Sequence, residues 1–369
     1  MAPGGRPGRR IAQRDPPDSI DVSGGSGTLR AVVVGSASGA KSRWRSWVEN
    51  TLGFAILVGT GVALWNRRQA FAELLDASWA DLLAMGALVL VAWVAASAQT
   101  WFLFRVERAP IGFGENLALT LCANFANYLP MRVGTVLRGQ YMKQVHGLRY
   151  ARFGSIFGIR TVLLVSASGL LGGVATIGLW VVEGRPAWAL LVTFIGMSVG
   201  AFNALLVPLP RLPEKGRRLS RVWNDFVDGF AAARARPVVS AIVLGLTLLQ
   251  QLALGVRLYI GFQAFQSDAS AWFMLLLAPL VMLVSFVAFT PGGLGLREAA
   301  IGYVAYATGR DFNLGLFAGT LDRAVLIALT VLLGVPSFIY VWRRLGSSKD
   351  YEGSPTESRT GSRSGAPLR

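Results

Sequence analysis

The stretch FTPGGLGLREAA, residues 289–300, interrupts an apolar run near the end of the 369-residue chain. A proline is followed by three glycines within four positions, and then Arg297 and Glu298 stand side by side. Proline ends a helix because it lacks a backbone donor and clashes with the preceding turn. Glycine allows positive φ angles and close backbone approach. The stretch predicts a broken helix and a new helix N-terminus, and a helix N-terminus is a favourable binding site for an anion.

The composition around this break indicates a membrane protein. The chain is 53% hydrophobic and 15% charged, with a mean hydropathy of +0.48, whereas about a quarter of the residues of a soluble domain are charged. A helix needs about 17–25 apolar residues to cross the hydrocarbon. We therefore expect an all-α, polytopic helical membrane protein with six crossings, at 48–64, 79–104, 155–182, 187–208, 238–262 and 319–342.

A second break has the same spacing as the first. The stretch NYLPMRVGTVLRG, residues 127–139, also contains a proline, then three residues, a glycine and an arginine within four positions. The separation from Pro130 to Gly134 equals that from Pro291 to Gly295. Irregular backbone is tolerated in hydrocarbon only where protein or a water-filled cavity covers it. Paired breaks in a transporter point to its substrate site, although two ordinary loop ends would show the same pattern of proline and glycine.

The distribution of charge predicts the topology, because Lys and Arg collect in short cytoplasmic segments. Both chain ends and the segment 209–236 carry an excess of basic residues. The basic stretch 131–153 lies on the same side only if 113–130 enters and leaves on the cytoplasmic face. By the same reasoning, 271–308 enters and returns from the outer face. We expect six full crossings plus two re-entrant or broken segments; eight or more full transmembrane helices is the alternative.

The chain is predicted to have three parts. Residues 1–46 and 345–369 are rich in Gly, Ser, Pro and Arg and too poor in apolar periodicity to fold alone. They are expected to be disordered cytoplasmic tails on either side of a helical transmembrane domain at 47–344, placed in the plasma membrane. The stretch AVVVGSASGAKS at 31–42 nearly matches a phosphate-binding loop. It has Ala40 where that loop needs glycine, and no alternating strands and helices follow it.

Ionisable groups within the apolar spans are candidates for function, because burying each costs about 2.5–3.5 kcal/mol on insertion scales. Five arginines outnumber two carboxylates, which predicts excess positive charge inside the bundle. The planar guanidinium group binds phosphate bidentately, so a cavity lined by it would suit a phosphate-bearing headgroup. The candidates are Arg138, Arg160, Arg257, Arg297, Arg323, Glu298 and Asp322.

Several polar candidates also have simpler interpretations. Arg138 could be a cytoplasmic loop residue, and the side chain of Arg160 could extend to the membrane interface. Asn124 and Asn127 are three residues apart and share one helical face. They could line a polar path, or they could form hydrogen bonds between helices.

The motif P-G-G-L-G-x-x-E at 291–298 resembles the signature of the lysylphosphatidylglycerol synthase transmembrane region, a family of flippase-like integral membrane proteins. The motif N-x-x-N-Y-L-P-x-R-x-G-x-x-x-R at 124–138 is similar to that family's first-half motif. The resemblance covers roughly 48–342 and implies a membrane protein that handles lipid. Arg323 matches an arginine that the family tends to carry. With Asp322 it is expected to begin the last helix, where the helix dipole favours an acid.

The chain departs from the family pattern at two places. Thr135 stands where the family often has glutamate, and Ile159 and Arg160 stand where it often has Glu-Arg followed by aspartate. A mechanism that needs those carboxylates is not expected here. The soluble aminoacyltransferase domain of the full-length synthases is not found after Arg344, so we do not expect this chain to synthesise an aminoacylated lipid.

The sequence favours an integral membrane lipid translocase that handles a phosphate-bearing lipid, either a phospholipid or a polyprenyl-phosphate-linked lipid. The alternatives are a non-catalytic membrane partner of a separately encoded lipid-modifying transferase and an enzyme that acts on a lipid headgroup. No catalytic constellation or cofactor is predicted, and one Cys and one His do not make a His/Cys metal site. The net charge of +16 is expected to attract anionic lipid rather than nucleic acid.

The residues expected to bind substrate come from both breaks and from the buried arginines. They are Pro291, Gly292, Gly293, Gly295, Arg297, Glu298, Asn127, Pro130, Gly134, Arg138, Arg160, Arg257 and Arg323.

Overall fold

The computed structural model describes residues 78–128, 133–184, 187–213, 218–265, 269–287 and 295–352. These residues form ten helices: α1 (Trp79–Val106), α2 (Phe113–Ala126), α3 (Val133–His146), α4 (Tyr150–Glu183), α5 (Trp188–Leu206), α6 (Arg218–Arg234), α7 (Pro237–Gln263), α8 (Ala271–Val287), α9 (Leu296–Ala307) and α10 (Phe312–Glu352).

Five of these helices, α1, α4, α5, α7 and α10, are long and apolar enough to cross a membrane. They coincide with five of the six predicted crossings, so the prediction of a polytopic helical membrane protein is confirmed. The remaining predicted crossing, 48–64, lies outside the described residues.

Local sequence signals mark the ends of several long helices. The Ser78 hydroxyl accepts a hydrogen bond from the backbone N–H of Ala80 at 3.2 Å and caps the start of α1, as serine commonly does. Proline at the first position of α7 lacks a donor that would have no helical partner there. Gly184 ends α4 with a φ of 69°, the left-handed conformation that glycine adopts readily.

The helices α2 and α3 form the first hairpin, which enters and leaves the bundle at one end. Glu115 in the first turn of α2 accepts hydrogen bonds from Tyr141 of α3 at 2.5 Å and from Arg344 of α10 at 2.9 Å, and its carboxylate lies 3.2 Å from the ring of His146 at the end of α3. The start of α2 and the end of α3 therefore lie together, at what we call the Glu115 end.

The contacts of Glu115 also set its charge. Burial disfavours the ionised carboxylate, but the hydrogen bonds from Tyr141 and His146 and the charges of His146 and Arg344 outweigh burial. They hold the pKa of Glu115 below its ordinary value. The carboxylate therefore stays ionised at neutral pH and joins three helices.

The helices α8 and α9 form the second hairpin, which opens at the opposite end of the bundle. Glu183, the last residue of α4, accepts hydrogen bonds from Ser270 before α8 at 3.2 Å and from Arg310 after α9 at 2.9 Å. The start of α8 and the end of α9 therefore meet at the Glu183 end. The 34 residues of α4 span about 50 Å at 1.5 Å per residue, and this length separates the two ends.

The lengths of the hairpin helices agree with two broken segments. They contain 14, 14, 17 and 12 residues, whereas a full crossing needs about 20. The two pairs enter from opposite ends of the bundle. This arrangement agrees with the prediction of re-entrant or broken segments.

Each hairpin packs into its own apolar cluster. Around the first hairpin, Tyr141 of α3 packs with Phe104 of α1 and Ile159 of α4. Around the second, Ile301 of α9 packs with Leu258 of α7, among other residues. Buried apolar contacts of this kind hold each hairpin against the long helices.

Three expectations about position are changed by the structure. The last helix begins at Phe312, so Asp322 and Arg323 lie well inside it rather than at its start. It continues to Glu352, so the first residues of the predicted C-terminal tail are helical. Arg138 lies on α3 with only 4% of its surface exposed, so its interpretation as a loop residue is wrong.

Candidate functional site

A cavity of about 270 Å³ lies where the tip of the first hairpin meets α1, α4, α7 and α10. Three arginines from three helices line it: Arg138 of α3, Arg160 of α4 and Arg323 of α10. Asn124 and Asn127 add amide groups from the end of the first hairpin's α2. No carboxylate is among the described residues that line it. We call this space the arginine cavity.

Among the described residues, the hydrogen-bond partners of Arg138 are neutral groups. Its Nη2 donates to Thr100 Oγ1 at 2.7 Å, Asn116 Oδ1 at 2.9 Å and Thr120 Oγ1 at 3.2 Å. Its buried Nε has no hydrogen-bond partner among the described residues. A guanidinium whose described partners are neutral has no carboxylate among them that would compete with an anionic ligand.

Arg160 adds a second cation from the facing helix. Its Nε donates to Gln99 Oε1 at 3.1 Å, and Gln99 in turn donates to Gln250 at 3.1 Å. Arg138 and Arg160 are close enough for their charges to repel each other. An anion placed between them would relieve that repulsion.

Arg323 connects the arginine cavity to the second hairpin. It lines the cavity, its guanidinium lies 5.3 Å from the ring centre of Tyr128 at the tip of the first hairpin, and its Nε lies 3.8 Å from Glu298 Oε1 of α9. Groups from both hairpins therefore meet at a single residue of α10.

Asp322 accepts hydrogen bonds from two arginines in an ionic cluster that adjoins the cavity. Arg257 of α7 donates from Nε at 2.7 Å and also from Nη2 to Oδ1, and Arg297 of α9 donates to Oδ2 at 2.5 Å. The aspartate has no exposed surface. Because both oxygens are bonded to charged donors, this trio fixes the start of α9 against α7 and α10. Arg297 therefore pairs across the bundle, with Asp322 of α10.

Two glycines allow the close geometry of the hairpin tips. Gly295 has a φ of 79° immediately before α9, which confirms the positive φ predicted at that break. A Cβ atom at Gly134 would lie 2.0 Å from the carbonyl oxygen of Ala123 and 2.7 Å from Asn127 Oδ1. Gly134 is therefore the position where α3 crosses α2 most closely.

The predicted site residues fall into four groups. Those that line the arginine cavity are Asn127, Arg138, Arg160 and Arg323. Those in the adjoining ionic cluster are Arg257, Arg297 and Glu298. Those at the described edges of the two tips are Gly134 and Gly295. Those outside the described residues are Pro130, Pro291, Gly292 and Gly293.

Sequence reasoning missed the neutral groups that orient Arg138. Asn116 and Thr120 precede Asn124 and Asn127 at intervals of four, four and three residues, which places all of them on one helical face. That polar stripe in an otherwise apolar helix was the available signal. Thr100 and Gln99 of α1 lie in a short polar group, Ser97, Gln99 and Thr100, within an apolar run, and that group was also overlooked.

The described residues contain no group of three or more His, Cys, Asp or Glu side chains that could hold a metal ion.

Comparison with known families gives one match over most of the chain. The family model described as Lysylphosphatidylglycerol synthase TM region matches residues 50–334. This range includes both hairpins and all three arginines of the cavity. No curated protein matches the chain.

Proposed function

The chain belongs to the lysylphosphatidylglycerol synthase transmembrane-region family, and from this premise we propose that it is a lipid translocase for a phosphate-bearing lipid. The family makes it a multi-pass membrane protein related to lipid handling. The observation that carries the finer proposal is the arginine cavity: three cations and no carboxylate among its described lining residues, beside the tips of two hairpins that open at opposite ends.

The charge of the cavity favours a phosphate group as the ligand. Arg138 and Arg160 have neutral hydrogen-bond acceptors as their described partners, so their charges are not cancelled locally. Guanidinium groups bind phosphate oxygens in pairs and keep their charge at any physiological pH. A phosphodiester or phosphomonoester would therefore replace neutral contacts with charge-assisted ones.

The size of the cavity favours a headgroup rather than a whole lipid. Sites that enclose a complete small molecule have volumes of about 300–1,000 Å³, and this cavity has about 270 Å³. We propose that the headgroup enters it while the acyl chains stay in the bilayer. Phospholipids and polyprenyl-phosphate-linked lipids both fit this description. In this proposal the chain moves its lipid without covalent chemistry.

The placement of the hairpins supports a path with access from both sides. Broken segments from two halves that meet at a central site are typical of secondary transporters. The Glu115 end carries Lys143, Arg149, Arg152 and Arg344. By the positive-inside rule we place this end in the cytoplasm, with both termini there and the protein in the plasma membrane.

Lipid movement in liposomes tests the proposal. The protein is reconstituted with phosphatidylglycerol labelled on an acyl chain near the headgroup or with a labelled polyprenyl phosphate, and dithionite quenches the label in the outer leaflet. Wild-type protein should make nearly all of one label accessible, compared with about half in protein-free liposomes. Replacing the cavity arginine in Arg160→Gln should slow this movement about tenfold or more, because one charge-assisted contact is lost.

Arg221 provides the matched control, since it is an exposed arginine on α6. Arg221→Gln should move lipid at the wild-type rate. Protein that moves neither lipid, or Arg160→Gln protein that moves lipid as fast as wild type, would contradict the proposed function.

A further inference from the structure

Two buried carboxylates, Asp322 and Glu298, belong to the ionic cluster that adjoins the arginine cavity, and they are bonded differently. Both oxygens of Asp322 accept hydrogen bonds from arginines. Glu298 has 3% of its surface exposed, yet neither of its oxygens accepts a hydrogen bond among the described residues. Its ion-pair partner, the Nε of Arg323, lies 3.8 Å away. A buried ionised carboxylate without hydrogen bonds is poorly stabilised.

Arg323 faces both Glu298 and the cavity, so one guanidinium can serve two anions. A phosphate in the cavity would offer Arg323 two oxygens at hydrogen-bonding distance. It would bind this guanidinium more strongly than the carboxylate of Glu298 does at 3.8 Å. When Arg323 binds that phosphate, the carboxylate of Glu298 loses its counter-ion. A buried carboxylate that has lost its counter-ion favours the neutral acid, in which one carboxylate oxygen carries a proton taken from water.

We propose that Glu298 is a proton-binding site coupled to lipid binding: it gains one proton when the headgroup phosphate engages Arg323 and loses it when the headgroup leaves. This inference rests on the proposed function and adds to it a source of energy. A monoanionic headgroup and one proton carry no net charge together, so a proton gradient across the membrane can drive the lipid.

The neighbours of Glu298 identify it as the group that changes charge. Both oxygens of Asp322 accept hydrogen bonds from guanidinium groups, whereas neither oxygen of Glu298 accepts one among the described residues. In the described part of the chain, the charged and titratable groups around this cluster are Arg323 and Asp322 on α10, Arg297 on α9, Arg257 on α7, which is bonded to Asp322, and Tyr128 beside Arg323.

Calorimetry in two buffers tests the coupling. Dihexanoyl phosphatidylglycerol is titrated into the purified protein in buffers with different ionisation enthalpies, which gives the number of protons taken up per lipid bound. This phosphodiester has no proton of its own to exchange near neutral pH. Wild type should take up protons on binding, and its dissociation constant should rise by at most about tenfold per pH unit as pH increases, the limit for one linked proton.

Variants separate coupling from binding. Glu298→Gln should bind without proton uptake and with a dissociation constant independent of pH, whereas Glu298→Asp should restore uptake. Asp81→Asn, which removes a carboxylate from the first turn of α1, should behave as wild type. Wild-type binding without proton uptake, or uptake that persists in Glu298→Gln, would overturn the coupling and leave the translocase proposal standing. Absence of lipid binding to wild type would overturn both.

Discussion

Arg138 shows how a single residue can be placed for function at the expense of stability. Its guanidinium is buried and bonded to Thr100, Asn116 and Thr120, all neutral, in the described part of the chain. A buried charge without an opposite charge is costly. Removing such a charge from a protein often costs nothing in stability or increases it, because strained functional sites are rarely the most stable arrangement.

Replacing Arg138 with methionine should therefore separate stability from transport. We expect Arg138→Met to melt at the wild-type temperature or above it, since methionine fills much of the same space without burying a charge. Phosphatidylglycerol movement should fall by about tenfold to a hundredfold, the loss of one charge-assisted hydrogen bond. The measurements are thermal unfolding and the dithionite assay. A variant that unfolds at much lower temperature would show that Arg138 mainly holds the fold.

At the scale of the elements, the two hairpins show which features could be predicted from the sequence alone. Proline and glycine act through the backbone of their own segment, so both breaks were predictable from Pro130, Gly134, Pro291 and Gly295 alone. Charge bias predicted that the segments enter from opposite sides, and the contacts of Glu115 and Glu183 agree.

Other features depended on three-dimensional packing and could not be predicted. Asp322 was interpreted from its expected place at a helix start, whereas α10 begins ten residues earlier. Its partners Arg257 and Arg297 are distant in sequence. Long-range ion pairs of this kind have no local signal, and the same holds for the contact of Thr100 with Arg138.

The crossing of α2 and α3 makes a prediction about Gly134. A methyl group there would overlap the carbonyl oxygen of Ala123 at 2.0 Å, and backbone cannot move aside as a flexible side chain does. Gly134→Ala should lower the unfolding temperature markedly or prevent recovery of monodisperse protein. Gly173→Ala, on a face of α4 where a Cβ meets nothing within 4 Å, is the control and should be close to neutral. Equal stability of the two variants would contradict the described hairpin geometry.

At the scale of the whole molecule, the arginine cavity is the point where both halves of the chain meet. The first hairpin supplies Arg138 and Tyr128 to the cavity, and α10 supplies Arg323, which also lies 3.8 Å from Glu298 of the second hairpin. The long helices that cross the membrane carry apolar surface outward, while positive charge is concentrated inside. A headgroup can therefore be bound in the bundle while its acyl chains remain in lipid.

The measurement that tests this account most directly is an electron cryomicroscopy structure of the protein in nanodiscs that contain phosphatidylglycerol, with a bound antibody fragment for alignment. We predict density for one lipid headgroup in the arginine cavity, with phosphate oxygens about 3 Å from the guanidinium nitrogens of Arg138, Arg160 and Arg323. A cavity that contains only water or an acyl chain, with headgroups bound elsewhere, would contradict the central claim that these arginines bind the lipid phosphate.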